Sequence, residues 1–247
     1  MGIQPDHQRW AALTIHLLTA CLLCVLSNLA ISQERIIIVE MYGDSTTLGA
    51  QTINQKLTTT PNNEPNALQD LLQSEFGKSV LVVNNGVGGT QAYQLLSGTD
   101  GRNRPWAEQM AKSPADIVIF NYGLNDQSYN ANPTPDMYQE TPESYAMIIG
   151  WLIQTARNNG KLVVLQEPNP TCYQPTIGNL ARFVTALRGS ATNMNAPLVP
   201  FYDYIQTLPH WKDLYSDCVH PSDQLYGIKA KQTYTRVAPL VRTIVNR

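Results

Sequence analysis

Five short apolar runs, each bounded by turn formers, punctuate the chain: residues 36–41 (IIIVEM), 80–83 (VLVV), 117–121 (IVIFN), 162–166 (LVVLQ) and 198–201 (LVPF). They are β-branched and largely unalternating, which predicts strands buried on both faces. The stretches between them carry helical spacing. Leu68, Leu71, Leu72 and Phe76 predict a helix over 66–76, closed by Gly77. Thr141 reads as the N-cap of a second helix, with Pro142 in its first turn; it runs through Ile148, Ile149, Leu152 and Ile153 to about residue 158, before Gly160. A third helix is predicted over 177–188. Ser222 caps a last one reaching about residue 245, with Gly227 and Pro239 as its weak points. Residues 51–65 and 127–140 are polar and contain prolines, so they read as loops. Strands alternating with helices predict an α/β domain whose parallel sheet is covered on both faces.

The first residues break this pattern. Arg9 precedes an apolar stretch over 10–30, and Ala30-Ile31-Ser32 supplies small residues before Gln33. Residues 1–32 therefore read as a signal peptide, residues 33–247 as a single domain, and the product as periplasmic or secreted. The stretch is also long enough to span a bilayer, so an uncleaved anchor stays open. Leu18-Thr19-Ala20-Cys21 has the form of a lipoprotein cleavage box, but the residues after it stay apolar. Export changes the reading of the cysteines. Cys21 and Cys24 fall in the leader, leaving Cys172 and Cys218. In an oxidising compartment such a pair predicts a disulfide, with two separate buried thiols as the alternative. Net charge is −2 and no Lys/Arg cluster stands out, which argues against a nucleic-acid partner. Membrane contact is expected only if the leader is retained.

Four polar segments carry the candidate chemistry: Gly43-Asp44-Ser45, Asn84-Asn85-Gly86-Val87-Gly88-Gly89, Gly123-Leu124-Asn125-Asp126 and Asp217-Cys218-Val219-His220-Pro221. The first three follow predicted strands at their C-terminal ends, the edge where open α/β sheets place their sites. A serine hydroxyl becomes a nucleophile when a neighbouring base takes its proton. Ser45 fits that role, His220 fits the base, and Asp217 is close enough in sequence to orient the ring. A chain beginning at Gln33 keeps only His210 and His220. No carboxylate stands at matching spacing to His210, which reads as a surface loop residue that could still help line a pocket.

In order and wording the four segments resemble the SGNH (GDSL) hydrolase family of esterases and lipases, over nearly all of the chain after residue 35. The resemblance implies a flavodoxin-like three-layer α/β/α sandwich with a five-stranded parallel sheet. It also implies an oxyanion hole formed by the Ser45 N–H, the Gly89 N–H and the Asn125 side chain; a one-residue shift would move the glycine donor to Gly88. Two departures stand out. The family's triplet is usually followed by Leu, where this chain has Thr46 and Thr47, and Ser often precedes the oxyanion glycine, where this chain has Gly88. Asp44 and Asp126 read as buried turn stabilisers. No motif for a metal or cofactor is present, so none is expected. The resulting expectation is a serine esterase working through an acyl-enzyme on a small-molecule or glycan ester, with short-chain or O-acetyl carbohydrate esters favoured. An acyltransferase, a lysophospholipase or thioesterase, and a non-catalytic binding module are the alternatives. Tyr93, Trp106, Tyr129, Tyr138, Tyr173 and Trp211 tilt the choice toward carbohydrate if they line the loops, and not if they are core or rim.

Overall fold

Strand β1 (Ile37–Gly43) occupies the inner part of a five-stranded sheet. In the computed structural model, which describes residues 35–130 and 137–246, the chain passes from β1 through a four-residue helix α1 (Ser45–Leu48) into a hairpin, β2 (Ala50–Ile53) and β3 (Lys56–Thr59). Helix α2 (Glu64–Phe76) leads to β4 (Val80–Asn84). Two short helices, α3 (Ala92–Ser97) and α4 (Trp106–Lys112), precede β5 (Ile117–Asn121). Then come α5 (Pro142–Asn158), β6 (Leu162–Gln166), α6 (Gln174–Asn193), β7 (Leu198–Val199), α7 (Phe201–Gln206) and α8 (Asp223–Val245). The sheet order is β4-β1-β5-β6-β7, and every pairing in it is parallel.

Alternation within the strands divides the core in two. Ile37, Val39, Met41, Ile117, Ile119 and Val164 point to one side, where they meet Leu68 and Leu72 of α2 and Val237 and Val241 of α8. Tyr42, Val118, Phe120, Val163 and Leu165 point to the other, against Trp106, Ile149, Leu152 and Phe183. Burial on both faces is why these runs are apolar throughout. The result is the expected three-layer α/β/α sandwich.

Several boundaries differ from the sequence expectation, each for a local reason. The run at 198–201 is a strand only over Leu198–Val199, because Pro200 offers no N–H to the ladder and Phe201 opens α7. Helix α2 starts at Glu64, where the Asn63 side chain accepts from the Asn66 N–H at 3.0 Å and Pro65 sits in the first turn. Helix α6 extends beyond 177–188 at both ends. Helix α8 runs unbroken past Gly227 and Pro239. The largest correction is at 51–65, read as a loop. Most of its first half belongs to the antiparallel hairpin β2–β3, whose turn residues Asn54 and Gln55 both have positive φ. Residues 127–130 form a 3-10 turn, and 131–136 lie outside the described residues, as does the expected leader over 1–32. Among the described residues, no helix is long and apolar enough to cross a membrane.

Candidate active site

The sheet reverses direction of winding between β1 and β5, so the loops leaving those strands diverge and open a crevice at their C-terminal ends. Ser45 lies just past β1 and Asn125 just past β5. Backbone crowding fixes the first loop. A Cβ at Gly43 would come within 2.1 Å of Thr47 Oγ1 and 2.6 Å of the Asn121 carbonyl, so only glycine lets the strand pass into α1. Asp44 then caps α1: its side chain accepts from the Thr46 N–H at 2.8 Å, and its carbonyl accepts from Thr47 and Leu48. Burial pushes the Asp44 carboxyl up, opposed by its hydrogen bonds from Thr46. The unusual Thr46 and Thr47 are both fully buried, and the Thr46 hydroxyl lies 3.0 Å from Asn121 Oδ1.

The fourth segment folds back over this turn. Asp217 Oδ1 accepts from the N–H groups of Val219 (3.1 Å) and His220 (2.7 Å), closing a tight loop that carries the imidazole. Asp217 Oδ2 lies 2.7 Å from His220 Nδ1, and His220 Nε2 lies 3.0 Å from Ser45 Oγ. The three side chains thus form one hydrogen-bonded chain across a sequence separation of 175 residues. The carboxylate end is anchored electrostatically. Partial burial alone would raise Asp217, yet hydrogen bonds from Thr52 and from the His220 N–H and ring hold it at about 2. It is therefore ionised at any working pH and keeps an acceptor facing Nδ1. The side chains of His220 and Asp217 are 15% and 25% exposed, so the chain borders solvent.

The third segment supplies an amide. Gly123 has φ +128°, a backbone state costly for any other residue. Asp126 is fully buried and accepts from the Gly123 N–H and the Ala92 N–H, both at 2.8 Å, tying the loop after β5 to the start of α3. Burial raises Asp126, and raises the neighbouring Glu140 further because the Asp126 charge lies beside it. Asp44 and Asp126 are thus buried turn stabilisers. Asn125 Nδ2 donates to the Thr90 carbonyl at 3.0 Å, which fixes the nitrogen end of the amide and leaves its second N–H uncommitted by that bond. Both Gly88 and Gly89 border the cavity beside Ser45 and Asn125; a Cβ at Gly88 would meet Ser45 Cβ at 3.8 Å, while one at Gly89 would meet nothing.

These residues share an open cavity of about 550 Å³, with Leu57, Leu124, Val219 and Tyr173 as its apolar and aromatic walls and Gln127, Ser128 and Thr171 among the polar ones. Ser45, His220, Asn125 and both glycines are brought together there. Asp217 stands behind His220. His210 is exposed and is not among the lining residues. Of the six aromatics left open between loop and core, Tyr173 lines the cavity, half exposed. Trp106 is fully buried in the core, its Nε1 donating to the Leu152 carbonyl. Tyr93 and Tyr138 stack on each other at 4.2 Å, Trp211 packs edge-on against Tyr215, and the Tyr129 side chain lies outside those described. Leu57 and Thr52 were missed, because the hairpin carrying them read as a loop. Its threonines at 52, 58 and 59 and its Asn at the turn were the available signal.

Cys172 and Cys218 form a disulfide, and the Cys172 N–H also donates to the Cys218 carbonyl at 3.0 Å. The bridge spans 46 residues and fastens the His220 loop to the segment after β6. Closing a loop of that size stabilises by about 4 kcal/mol in the chain-entropy account. Replacing both cysteines by serine is expected to lower the melting temperature by about 10 °C. Calorimetry checks the figure, and equal melting of the two proteins would show that the bridge contributes nothing.

The profile of the GDSL-like lipase/acylhydrolase family matches residues 41–228. A comparison with curated proteins finds no match. Among solved structures the chain is similar to an acetylxylan esterase from Geobacillus stearothermophilus, at 19% identity over 83% of this chain and 96% of that one, with a TM-score of 0.64. It is also similar to the acetyl xylan esterase AlAXEase, at 18% identity over 81% and 98%, with a TM-score of 0.64. A lipase/acylhydrolase from Enterococcus faecalis matches at 16% identity over 82% and 95%, with a TM-score of 0.63. At these identities the structural likenesses speak for the fold, whereas the profile spans most of the chain and contains the first three segments and His220. This protein belongs to the GDSL-like lipase/acylhydrolase family, a family of carboxylic ester hydrolases.

Proposed function

We propose that this protein is an exported serine esterase that removes short acyl groups, O-acetyl groups on carbohydrate above all, through an acyl-enzyme. The observation that carries the reading is the hydrogen-bonded chain from Asp217 through His220 to Ser45, the last two of which line an open cavity. Ser45 Oγ attacks the ester carbonyl while His220 Nε2 takes its proton, and Asp217 stabilises the imidazolium that results. The carbonyl oxygen becomes an oxyanion held by three donors: the Ser45 N–H, which the first turn of α1 leaves unused, the Gly89 N–H and the Asn125 amide. Collapse of the intermediate expels the alcohol, which takes the proton from His220. Water then enters, gives a proton to His220 and releases the acid by the same steps in reverse order.

Three observations support the finer parts. The acetylxylan esterase likeness and the Tyr173 ring at the cavity wall favour a sugar ester, since a flat aromatic surface suits a pyranose face. The disulfide suits an oxidising compartment, and with the apolar leader it supports cleavage near Gln33 and a mature single domain over 33–247. The test is a series of p-nitrophenyl esters from acetate to palmitate, run beside acetylated xylo-oligosaccharides. The expected result is a kcat/KM falling by about tenfold or more from the shortest to the longest chain, on the scale of a few misplaced methylenes, with acetate released from the oligosaccharides. A preference for long chains, with no acetate released, would replace this reading with a lipase.

A further inference from the structure

We infer that Thr52 is a positioning residue for the Asp217–His220 pair, so that the β2–β3 hairpin belongs to the catalytic apparatus. The inference rests on the catalytic reading of Ser45, His220 and Asp217 given above.

The hairpin register pairs Thr52 with Leu57, and cross-strand partners project from the same face. That face is turned to the site. Leu57 lines the cavity although it is 64% exposed, and the Thr52 hydroxyl donates to Asp217 Oδ2, the oxygen that faces His220 Nδ1. An ionised carboxylate offers about four lone-pair positions. Val219 N–H and His220 N–H occupy Oδ1, and His220 Nδ1 takes one position on Oδ2. Thr52 fills the last, and it is the donor that comes from outside the Asp217–His220 loop. It fixes the rotation of the carboxylate about its own bond, and with it the direction in which the imidazole is held.

The same residue grips the loop a second way. Its backbone N–H donates to Ser216 Oγ at 3.0 Å, and that hydroxyl donates to the His220 carbonyl at 3.0 Å. The hairpin is itself fastened to the start of α8. Gln51 Nε2 donates to the Pro221 carbonyl and to Asp223, Thr60 donates to Asp223, and the Tyr226 hydroxyl donates to the Ala50 carbonyl. Thr52 therefore approaches Asp217 from an anchored support.

Thr52→Val keeps the branched shape and removes only the hydroxyl. It is expected to lower kcat by about tenfold, the scale of one charge-assisted hydrogen bond, with KM changed by less than about twofold. A carboxylate stripped of that donor attracts the imidazole proton more strongly, so the acid limb of the kcat/KM profile should move to higher pH. Thr52→Ser, which keeps the donor, should restore most of the turnover. In an Asp217→Asn background, adding Thr52→Val should cost nothing further, because the partner is already gone. The inference is overturned if Thr52→Val costs the same in both backgrounds, or if it lowers only the melting temperature at unchanged kcat and unchanged pH profile. If Asp217→Asn itself keeps full turnover, the catalytic reading of Asp217 fails and takes this inference with it. If Asp217→Asn is crippled while Thr52→Val is not, this inference alone fails.

Discussion

Ser45→Ala is expected to lower kcat by about four orders of magnitude or more, roughly 5.5 kcal/mol of transition-state stabilisation, while the protein stays folded. The two halves of that expectation come from different parts of the structure. The chemistry is lost because Ser45 Oγ is the atom 3.0 Å from His220 Nε2, and an alanine leaves the base with nothing to deprotonate but water. The fold survives because the turn does not depend on the hydroxyl. Asp44 caps α1 through Thr46, Thr47 and Leu48, and the Gly49 N–H closes on the Ser45 carbonyl; alanine keeps all of these. Turnover of p-nitrophenyl acetate and a circular dichroism spectrum measure both halves. Retention of a tenth of the wild-type turnover by a folded variant would remove Ser45 from the nucleophile's place.

The parts of the fold that were legible in the sequence share one property: their residues act in local sequence context. The runs at 117–121 and 162–166 emerge as β5 and β6 with the expected ends, because burial on both faces demands continuous apolar residues. Thr141 and Ser222 cap helices as read, since a cap is decided within four residues. The glycine, serine and asparagine blocks were visible because a sheet delivers its loops to one edge. What was not legible depended on partners far away. The hairpin β2–β3 packs little apolar surface of its own: Ile53 and Leu57 are both more than half exposed, and the hairpin is held by polar bonds from Gln51 and Thr52 to residues more than 160 positions on. No periodicity announces such a strand. Whether Trp106 lay in a loop or in the core stayed open for the same reason. It stands in a polar stretch after Arg104 and Pro105, and only the tertiary fold shows it filling the space beside Tyr42 and Phe120. Helix α4 is too short for its period to be read, so the burial of its first residue leaves little trace in the sequence.

Asp217→Asn should be the second most damaging change, lowering kcat by about three to four orders of magnitude. The substituted amide can present its N–H to His220 Nδ1, which then holds no proton there and carries it on Nε2 instead. The base is blocked at the atom that faces Ser45. Raising the pH should restore part of the loss by favouring the deprotonated serine. The wild-type carboxyl is held at about 2, so it stays ionised as the pH falls to about 4, and any acid limb above that point belongs to other groups. The same shift has a stability sign. A carboxyl lowered from its ordinary 3.8 stabilises the fold fully above that value, and the contribution is lost as pH falls toward 2. The variant should lack that acid-dependent increment. Asn125→Ala gives the contrast. It removes one oxyanion donor and leaves the Ser45–His220 bond intact, so the expected loss is about a hundred- to thousandfold in kcat at nearly constant KM and an unshifted pH profile. Turnover against pH for both variants on one ester separates them. A pH-independent loss in Asp217→Asn would mean that the carboxylate merely braces the loop. A raised KM at unchanged kcat in Asn125→Ala would mean that the amide holds the substrate and not its transition state.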